Sequence, residues 1–381
     1  MALVTMTLLD SYLLRKILVP LVYSVSGFIS VWLVWDLSSN LPDFLSGHAT
    51  FSQLARFYLL QLPSVLMLSI PVGLLLSLLY TLTQMSRRNE IISMLCAGRS
   101  LLRIFMPLIM LGLVVTGLLA VLNHTMAPQA GSLRDVMKEE IKTGQKHSRG
   151  IVSNHLYRNR EDRRLWFFTS LDRENNTALR VEIIQQDESG IVKEKWYGEQ
   201  ASFSPGSATW TLQNARHVTV DGEGNLVASE SKPRLEITGW HETPWKITSS
   251  TMNPEFLGIP ELTDYLRYNA EFPESRLAPF VTHWHYRWAL PWVCLVVVFL
   301  AGPLGVVNGR RGIMGGVAGA ITLFAGLIFS SSLFLALGKG DRIPAWTASW
   351  GPIAIFMTIG LWLFWLKSTG RELPRLRLPG F

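Results

Sequence analysis

The residue types that perform chemistry are sparse in this chain and rarely stand at the spacing that a reaction needs. His283 and His285 are separated by one residue, so in a helix they face different directions and are not expected to share a metal ion. A Gly-Lys-Gly sequence at Lys339 lacks the first glycine and the following Ser or Thr of a P-loop. Three further histidines lack metal-ligand spacing: His147, His155 and His217. The sequence therefore predicts no metal, no cofactor and no nucleotide hydrolysis on this chain.

Six long apolar windows dominate the sequence instead. Charged residues make up 17% of the chain, below the roughly 25% of soluble domains, and they concentrate between Arg134 and Arg287. Each window reaches the roughly 20 residues that cross the hydrocarbon core of a bilayer. The windows run from Ile17 to Trp35, Phe57 to Met85, Ile104 to about Ala127, Trp288 to Asn308, Gly312 to Gly338 and Ile343 to Leu366. We interpret the first as a retained helix, because it is too long for a signal peptide and has no small-residue cleavage site.

Basic residues flank these windows unevenly. The short loops on one side carry only Arg56, Lys339 and Arg342. The other side carries Arg15, Lys16, Arg87, Arg88, Arg99, Arg103, Arg310, Arg311, Lys367, Arg371, Arg375 and Arg377. The positive-inside rule makes the richer side cytoplasmic and places both termini there, in a multi-pass membrane protein. The net charge of +7 is then mostly a topology signal, and nucleic acid is not an expected partner.

The polar middle of the chain has the pattern of a β-domain. From Gly150 to about Trp245, short alternating runs such as Leu179–Ile183 are separated by turn sequences such as Ser204-Pro-Gly-Ser207. Neither cysteine, Cys96 or Cys294, lies in this stretch, so no disulfide is expected there. The predicted fold is an α-helical membrane protein of six transmembrane helices with an inserted all-β, jelly-roll-like domain, which is exported to the side opposite the termini. Its expected parts are residues 1–127 with three helices, 128–282 with the β-domain and a short helix, and 283–381 with three helices.

The apolar windows contain no acidic or basic residue at mid-depth. Ion-coupled transporters keep ionisable groups in the bundle despite their cost. An ion-coupled lipid carrier is therefore disfavoured, and an intramembrane enzyme has no acid–base pair or metal cluster to use. If ATP drives this protein, a separate subunit must hydrolyse it.

A short segment between the second and third windows is where such a subunit would bind. Ser86 is a possible N-cap, Glu90 follows in the first turns, and Gly98 is a helix stop. The pattern predicts an amphipathic cytoplasmic helix over residues 86–98. Two interpretations stay open, namely a docking helix and a surface helix that only connects two spans.

The segment from Gln84 to Arg99 resembles the coupling helix of the LptF/LptG permease family, in which an S/R-x-x-E sequence precedes apolar residues, Met, Ala or Ser, and Gly. Leu9–Lys16 resembles the N-terminal elbow of that family, and Thr125–Gln129 resembles the exit of its third helix. The stretch from Asn253 to Tyr268 and the Ile343-Pro344 pair also match, as does the order of three helices, β-domain and three helices. Within this family, the Leu9-Asp-Ser-Tyr12 sequence favours LptG over LptF.

This resemblance implies a non-enzymatic permease subunit of an ATP-driven exporter that extracts lipopolysaccharide, or a similar large lipid, from the bacterial inner membrane. It also implies that the β-domain is periplasmic. The implied partners are a cytoplasmic ABC-type ATPase dimer, a second related permease and a periplasmic bridge of β-jelly-rolls. The implied ATPase-binding residues are Arg88, Glu90, Ser93, Met94 and Gly98. The implied residues of a lipid cavity and lateral gate between the first and fifth spans are Trp32, Trp35, Gly312, Gly316 and Gly319.

Two features keep alternatives open. Gly312/Gly316 and Gly315/Gly319 have small-xxx-small spacing, which suits either a separable gate contact or permanent packing of the bundle. Val31–Asp36 is aromatic and acidic where some family members carry a basic residue for lipid phosphates. The alternative function is a membrane-anchored periplasmic adaptor or scaffold that moves nothing.

Overall fold

The computed structural model describes residues 8–143, 151–159, 162–173, 175–187, 189–221, 226–248, 253–270, 272–306 and 310–369. The helices are α1 Leu8–Ser46, α2 Phe51–Arg87, α3 Glu90–Cys96, α4 Leu101–Thr125, α5 Ala127–Thr143, α6 Pro244–Thr248, α7 Ile259–Tyr268, α8 Glu274–Ala289, α9 Val293–Gly305, α10 Arg310–Lys339 and α11 Ala345–Ser368. The strands are β1 Ile151–Asn159, β2 Arg164–Asp172, β3 Thr177–Gln186, β4 Val192–Ser204, β5 Thr209–Val220 and β6 Leu226–Ile237. Short 3-10 turns lie at Pro254–Phe256 and Leu290–Trp292.

The chain divides into two units. The first, which we call the membrane unit, comprises Met1–Asp135, Pro254–Thr263 and Phe272–Phe381. The second, which we call the β-domain, comprises Val136–Asn253 and Asp264–Glu271.

Among the described residues, six helical segments of the membrane unit are long and apolar enough to cross a bilayer, which confirms the predicted number of spans. They are Leu8–Ser46, Phe51–Arg87, Leu101–His124, Glu274–Gly305, Met314–Lys339 and Ala345–Ser368. The fourth segment joins α8 and α9 through the Leu290–Trp292 turn. Several are longer than a bilayer requires, since the 39 residues of α1 extend about 58 Å at 1.5 Å per residue.

Helices α2 and α9 form the centre of the membrane unit. Glycine allows the close approach of their neighbours, because a Cβ atom on Gly302 of α9 would lie 2.4 Å from Phe105 on α4. A Cβ on Gly360 of α11 would likewise lie 2.9 Å from Phe299 on α9. In α2, 67% of the residues in the apolar window are buried inside the protein, and in the fourth segment 72% are buried. The corresponding shares are only 6% in α1 and 17% in α10. Within one chain, α1 and α10 are thus the spans with the most unpacked surface.

The β-domain contains one six-stranded antiparallel sheet, in which consecutive strands pair in the order β1-β2-β3-β4-β5-β6. An inserted all-β domain was predicted and is confirmed. Its side chains converge on an apolar core that includes Trp166, Phe168 and Trp210.

Three strands of this sheet each contain a residue with irregular backbone geometry, and we call the line through these residues the crease. Asn154 on β1, Arg180 on β3 and Asn214 on β5 have positive φ angles of 49°, 48° and 49°, and the strand pairing is interrupted at each of them. The side that faces the core changes at the crease, so that Phe168 is buried before it on β2 and Leu171 after it. Without this change, strict alternation would direct the apolar side chains on one side of the crease away from the core.

Candidate functional site

The α3 segment is a short helix between two sharp turns. Helix α2 continues through Ser86 to Arg87, and the Ser86 hydroxyl donates a hydrogen bond to the carbonyl of Gly305 at 3.4 Å. The chain then turns at Asn89, whose φ is 56°, and α3 begins at Glu90. The helix is therefore shorter than residues 86–98, and Ser86 does not cap it, because the periodicity of α2 runs on without a break.

Gly98 ends α3, as its position in the sequence predicted. Its φ of 80° lies in the left-handed region that favours glycine. The Gly98 N–H donates to the carbonyl of Leu95 at 3.0 Å, and the Arg99 N–H donates to that of Met94 at 3.2 Å. The second bond is the one that closes a Schellman motif at a helix end.

We expect Gly98→Ala to loosen this end of α3 by about 1 kcal/mol, because an L-residue is strained in the left-handed region. Amide exchange over Ile91–Cys96 should then accelerate about fivefold, as measured by hydrogen-exchange mass spectrometry. The control is Gly117→Ala in α4, where a Cβ has no atom within 4 Å. Equal exchange in Gly98→Ala and the wild type would contradict this role of Gly98.

Glu90 makes its strongest contacts within the chain. Lys16 on α1 donates from Nζ to both carboxylate oxygens, at 2.8 and 2.6 Å. The Tyr12 hydroxyl donates to Glu90 Oε2 at 3.1 Å, and Lys16 Nζ also lies 4.6 Å from the centre of the Tyr12 ring. Both members of the ion pair are 21% exposed. Sequence reasoning missed this pairing, because it assigned Lys16 and Tyr12 to an N-terminal elbow and Lys16 also to the topology signal, and neither assignment names a partner 74 positions away.

A groove opens beside this ion pair, with a volume of about 420 Å³. It is lined by Leu9, Tyr12, Arg88, Glu90, Ser93, Met94, Ala97 and Arg99. Ile92 and Leu95 on α3 are exposed nearby in the sequence. The structure thus places four of the predicted docking residues around one concave surface that mixes apolar and cationic groups, and Gly98 fixes the end of the helix that carries them.

The predicted gate residues lie on α1 and α10, and each of these helices packs mainly against helices other than its proposed partner in the gate. Helix α1 packs mainly on α2, whereas α10 packs mainly on α11, α9 and α8. On α1, Trp32 stands edge-on to Tyr58 at 6.1 Å and Trp35 is exposed.

Three of the predicted gate residues are glycines of α10: Gly312, Gly316 and Gly319. A Cβ at Gly319, or at Gly315 one turn before it, would meet no atom within 4 Å. Gly315 and Gly319 are therefore not packing positions within this chain, and the face that carries them is free for a contact outside it.

Asp36, at the end of α1 remote from α3, is directed inwards. Its carboxylate is almost fully buried and pairs with Arg134 Nη2 of α5 at 3.4 Å. Asn40 donates to its second oxygen at 3.1 Å. The acidic position in the Val31–Asp36 stretch thus serves an internal contact, while its neighbours Val34 and Trp35 are exposed.

A second polar cluster joins several helices at the same end of the membrane unit. Arg287 of α8 donates to Asn123 Oδ1 of α4 at 3.0 Å and to the backbone carbonyl of Glu255 at 2.5 Å. Lys339 of α10 donates to Glu255 Oε1 at 2.5 Å. This hydrogen bond from Lys339 holds the pKa of Glu255 below its usual value.

The two histidines of α8 have different surroundings. His283 is buried and its ring stands edge-on to Tyr286 at 6.1 Å, while the ring of His285 lies against Trp284 at 5.0 Å. Among the described residues, no cluster of three or more His, Cys, Asp or Glu side chains could hold a metal ion.

Comparison with known proteins gives one family. The family model described as "Lipopolysaccharide export system permease LptF/LptG" matches residues 11–366. No curated protein matches the sequence significantly. The match begins near the N-terminal end of α1, and we call residues Leu8–Ile17 the foot of α1. It covers the groove except for Leu9, most or all of each of the six spans and the β-domain, and it ends within α11. The chain therefore belongs to the LptF/LptG family of lipopolysaccharide export permeases.

Proposed function

We propose that this permease is the transmembrane subunit of an ATP-driven exporter, which takes lipopolysaccharide from the inner membrane and passes it to a periplasmic bridge of β-domains. The observation that carries the proposal is the groove beside α3, within a chain that matches the permease family almost from end to end. The absence of acidic or basic residues at mid-depth in the apolar windows supports an external source of energy, and the groove is a surface on which a motor subunit can bind.

In this proposal an ABC-type ATPase dimer binds at the cytoplasmic face. The groove offers Met94 and Leu9 for apolar contact, and Arg88 and Arg99 for acidic groups of the partner. The asymmetry of basic residues supports this orientation, with α3 and both termini in the cytoplasm and the β-domain in the periplasm.

A second, related permease completes the transport path. The unpacked faces of α1 and α10 supply the surfaces for this pairing. The open glycine face at Gly315 and Gly319 permits a close contact that can separate without breaking a packed core. A lipid with several acyl chains needs an apolar space with a lateral opening, and a cavity between two permeases provides both.

Transfer to the bridge uses the last strand of the sheet. Strand β6 is exposed along nearly its whole length, and it pairs with β5 along one side only among the described residues. An exposed edge strand is a template for the addition of a strand from another protein. A bridge protein with a similar β-fold would continue the sheet from β6.

The test of this function is purification of the full-length chain from its native membrane in mild detergent, followed by mass spectrometry of the bound subunits and lipid. We expect an ABC-type ATPase, a second permease of the same family and lipopolysaccharide. Recovery of the chain with periplasmic partners but with neither ATPase nor lipid would favour the scaffold function instead.

Glu90→Lys should abolish lipid transport while the protein still inserts in the membrane. The change places a third cation beside Lys16 and Arg88 and removes the acceptor for Tyr12. Transport is measured as ATP-dependent release of lipopolysaccharide from proteoliposomes. The control is Asp264→Lys, an exposed acidic position of α7, which should transport normally. If Glu90→Lys also transports at the wild-type rate, Glu90 has no role in coupling.

A further inference from the structure

The contacts of Glu90 indicate where motion of α3 goes next. We propose that Lys16 and Tyr12 are positioning residues that join α3 to the foot of α1, so that the force of the ATPase reaches the first span directly. This inference rests on the proposed function and assigns the immediate receiver of the force. The spans that are continuous with α3 in sequence, α2 and α4, are the obvious alternative receivers.

The geometry of the carboxylate supports an internal role for Glu90. A carboxylate has about four positions at which it accepts hydrogen bonds. Lys16 and Tyr12 occupy three of them, with both oxygens engaged by Lys16. A cation from a partner protein would have to displace Lys16. Charge-assisted bonds of this kind are short and strong, and partial burial reduces their screening by salt.

The foot of α1 is more deeply buried than the middle of the helix and contacts α3 as well as α2. Leu13 and Ile17 are fully buried, and the Lys16 carbonyl accepts a hydrogen bond from Thr81 of α2 at 3.2 Å. Beyond Ile17, no residue of α1 is fully buried until Asp36. The middle of α1 keeps a close contact with α2, since a Cβ on Gly73 of α2 would lie 2.6 Å from Val25. A displacement of the foot therefore acts on a span that is held mainly by this one neighbour.

The sequence of α1 also provides a place where the helix can bend. Pro20 lies one turn beyond Lys16 and cannot donate a backbone hydrogen bond. Helices bend preferentially at such positions. The foot of α1 can thus tilt with α3 while the Asp36–Arg134 ion pair still anchors the far end.

A charge exchange tests this connection. Lys16→Glu and Glu90→Lys should each reduce ATP-dependent lipopolysaccharide release at least tenfold, and the double variant should recover most of the loss. The matched control combines Glu90→Lys with Arg15→Glu, since Arg15 is an exposed neighbour of Lys16, and this pair should not recover. A double variant no better than Glu90→Lys alone would overturn the proposal and indicate that Glu90 acts by contacting another protein.

A distance measurement separates transmission from simple structural support. Spin labels at Val31→Cys on α1 and Ile321→Cys on α10, in a chain with Cys96→Ser and Cys294→Ala, report the separation of these exposed sites. In the assembled complex, ATP with vanadate should change this distance in the wild-type background. Lys16→Ala should keep the bound ATPase and lose the change, and Tyr12→Phe should lose part of it.

The outcomes of this measurement are distinct. A nucleotide-dependent change that persists in full in Lys16→Ala would overturn the inference and leave the exporter function intact. A complex whose wild-type form binds ATPase and shows no change at all would instead contradict the proposed function. Loss of the change together with loss of the bound ATPase would overturn the inference, because Lys16 would then serve docking.

Discussion

Glu242→Ala is expected to lower the free energy of unfolding of the β-domain by about 3–5 kcal/mol, the usual effect of removing one partner from a buried ion pair. Glu242 has no solvent exposure. Its carboxylate accepts hydrogen bonds from Arg164 Nη1 and Asn159 Nδ2, each at 2.8 Å. Its backbone carbonyl accepts a third, from the indole N–H of Trp210 at 2.6 Å.

The loss is large because the remaining groups cannot reach water. The Arg164 guanidinium is buried and stacks over the Trp240 ring at 4.7 Å. After the substitution it retains only Asp162, at 3.0 Å, as an ionic partner. Asn159 would also lose an acceptor inside the domain, and each unsatisfied buried group adds a cost of about 1–3 kcal/mol.

Thermal unfolding of the full-length chain, followed by pulsed hydrogen-exchange mass spectrometry of the peptides that contain Trp166 and Trp210, measures this effect. These two residues lie 5.0 Å apart in the core of the β-domain, so exchange in their peptides reports the unfolding of that domain. Glu242→Gln should cost less, because an amide still accepts from Arg164. The matched control is Glu236→Ala, whose ion pair with Arg234 is exposed and should contribute at most about 1 kcal/mol. Similar unfolding temperatures for Glu242→Ala and Glu236→Ala would refute the prediction.

Arg287→Ala should destabilise the membrane unit by about 2–6 kcal/mol, because it leaves two acceptors without their donor at a cost of about 1–3 kcal/mol each. Arg287 is buried and holds three elements together, since it lies on α8 and donates to Asn123 of α4 and to the carbonyl of Glu255. The Asn123 side chain in turn donates to the backbone carbonyl of Arg287 at 2.5 Å. Truncation leaves the oxygens of Asn123 and Glu255 without these donors and creates a cavity among the helices.

A fluorescence thermal-shift assay of the purified protein in detergent measures the second prediction. The control is Arg342→Ala, an exposed arginine in the loop between α10 and α11, which should unfold at the wild-type temperature. Arg287→Met combined with Asn123→Leu should recover part of the loss, because both polar partners are then replaced by apolar groups of similar size. If Arg287→Ala alone matched Arg342→Ala, the cluster would contribute nothing to stability.

Glu255 adds a pH dependence to the same cluster. Its pKa is lowered in the folded protein, chiefly by the hydrogen bond from Lys339. A lowered carboxyl pKa gives stability that is present above the unfolded value and is lost as the pH falls through the folded value. The contribution is small because half of the Glu255 side chain is exposed.

The patterns that sequence alone determined are local. Six apolar windows are visible because a bilayer requires about 20 consecutive apolar residues, and the β-domain is visible because alternation has a period of two. Gly98 was identified as a helix stop because a left-handed residue favours glycine at that point. These features depend on residues that are neighbours in the chain.

The start of α3 differs from the position that the local sequence predicted. Ser86 has the right type for an N-cap, yet α2 continues through it, and the chain turns at Asn89 instead. Helix boundaries are decided by the packing of the whole helix against its neighbours, which here includes the contact of Ser86 with Gly305.

Only the tertiary structure decided which residues meet. Glu90 binds Lys16 across 74 positions, Arg164 binds Glu242 across 78, and Arg287 binds Asn123 across 164. The rotation of each helix about its axis and the register of each strand fix such partners, and neither is encoded in the local pattern of a single segment. The sequence thus predicted a short helix with Glu90 between the second and third spans, and only the tertiary structure showed that this glutamate is bound to the first span.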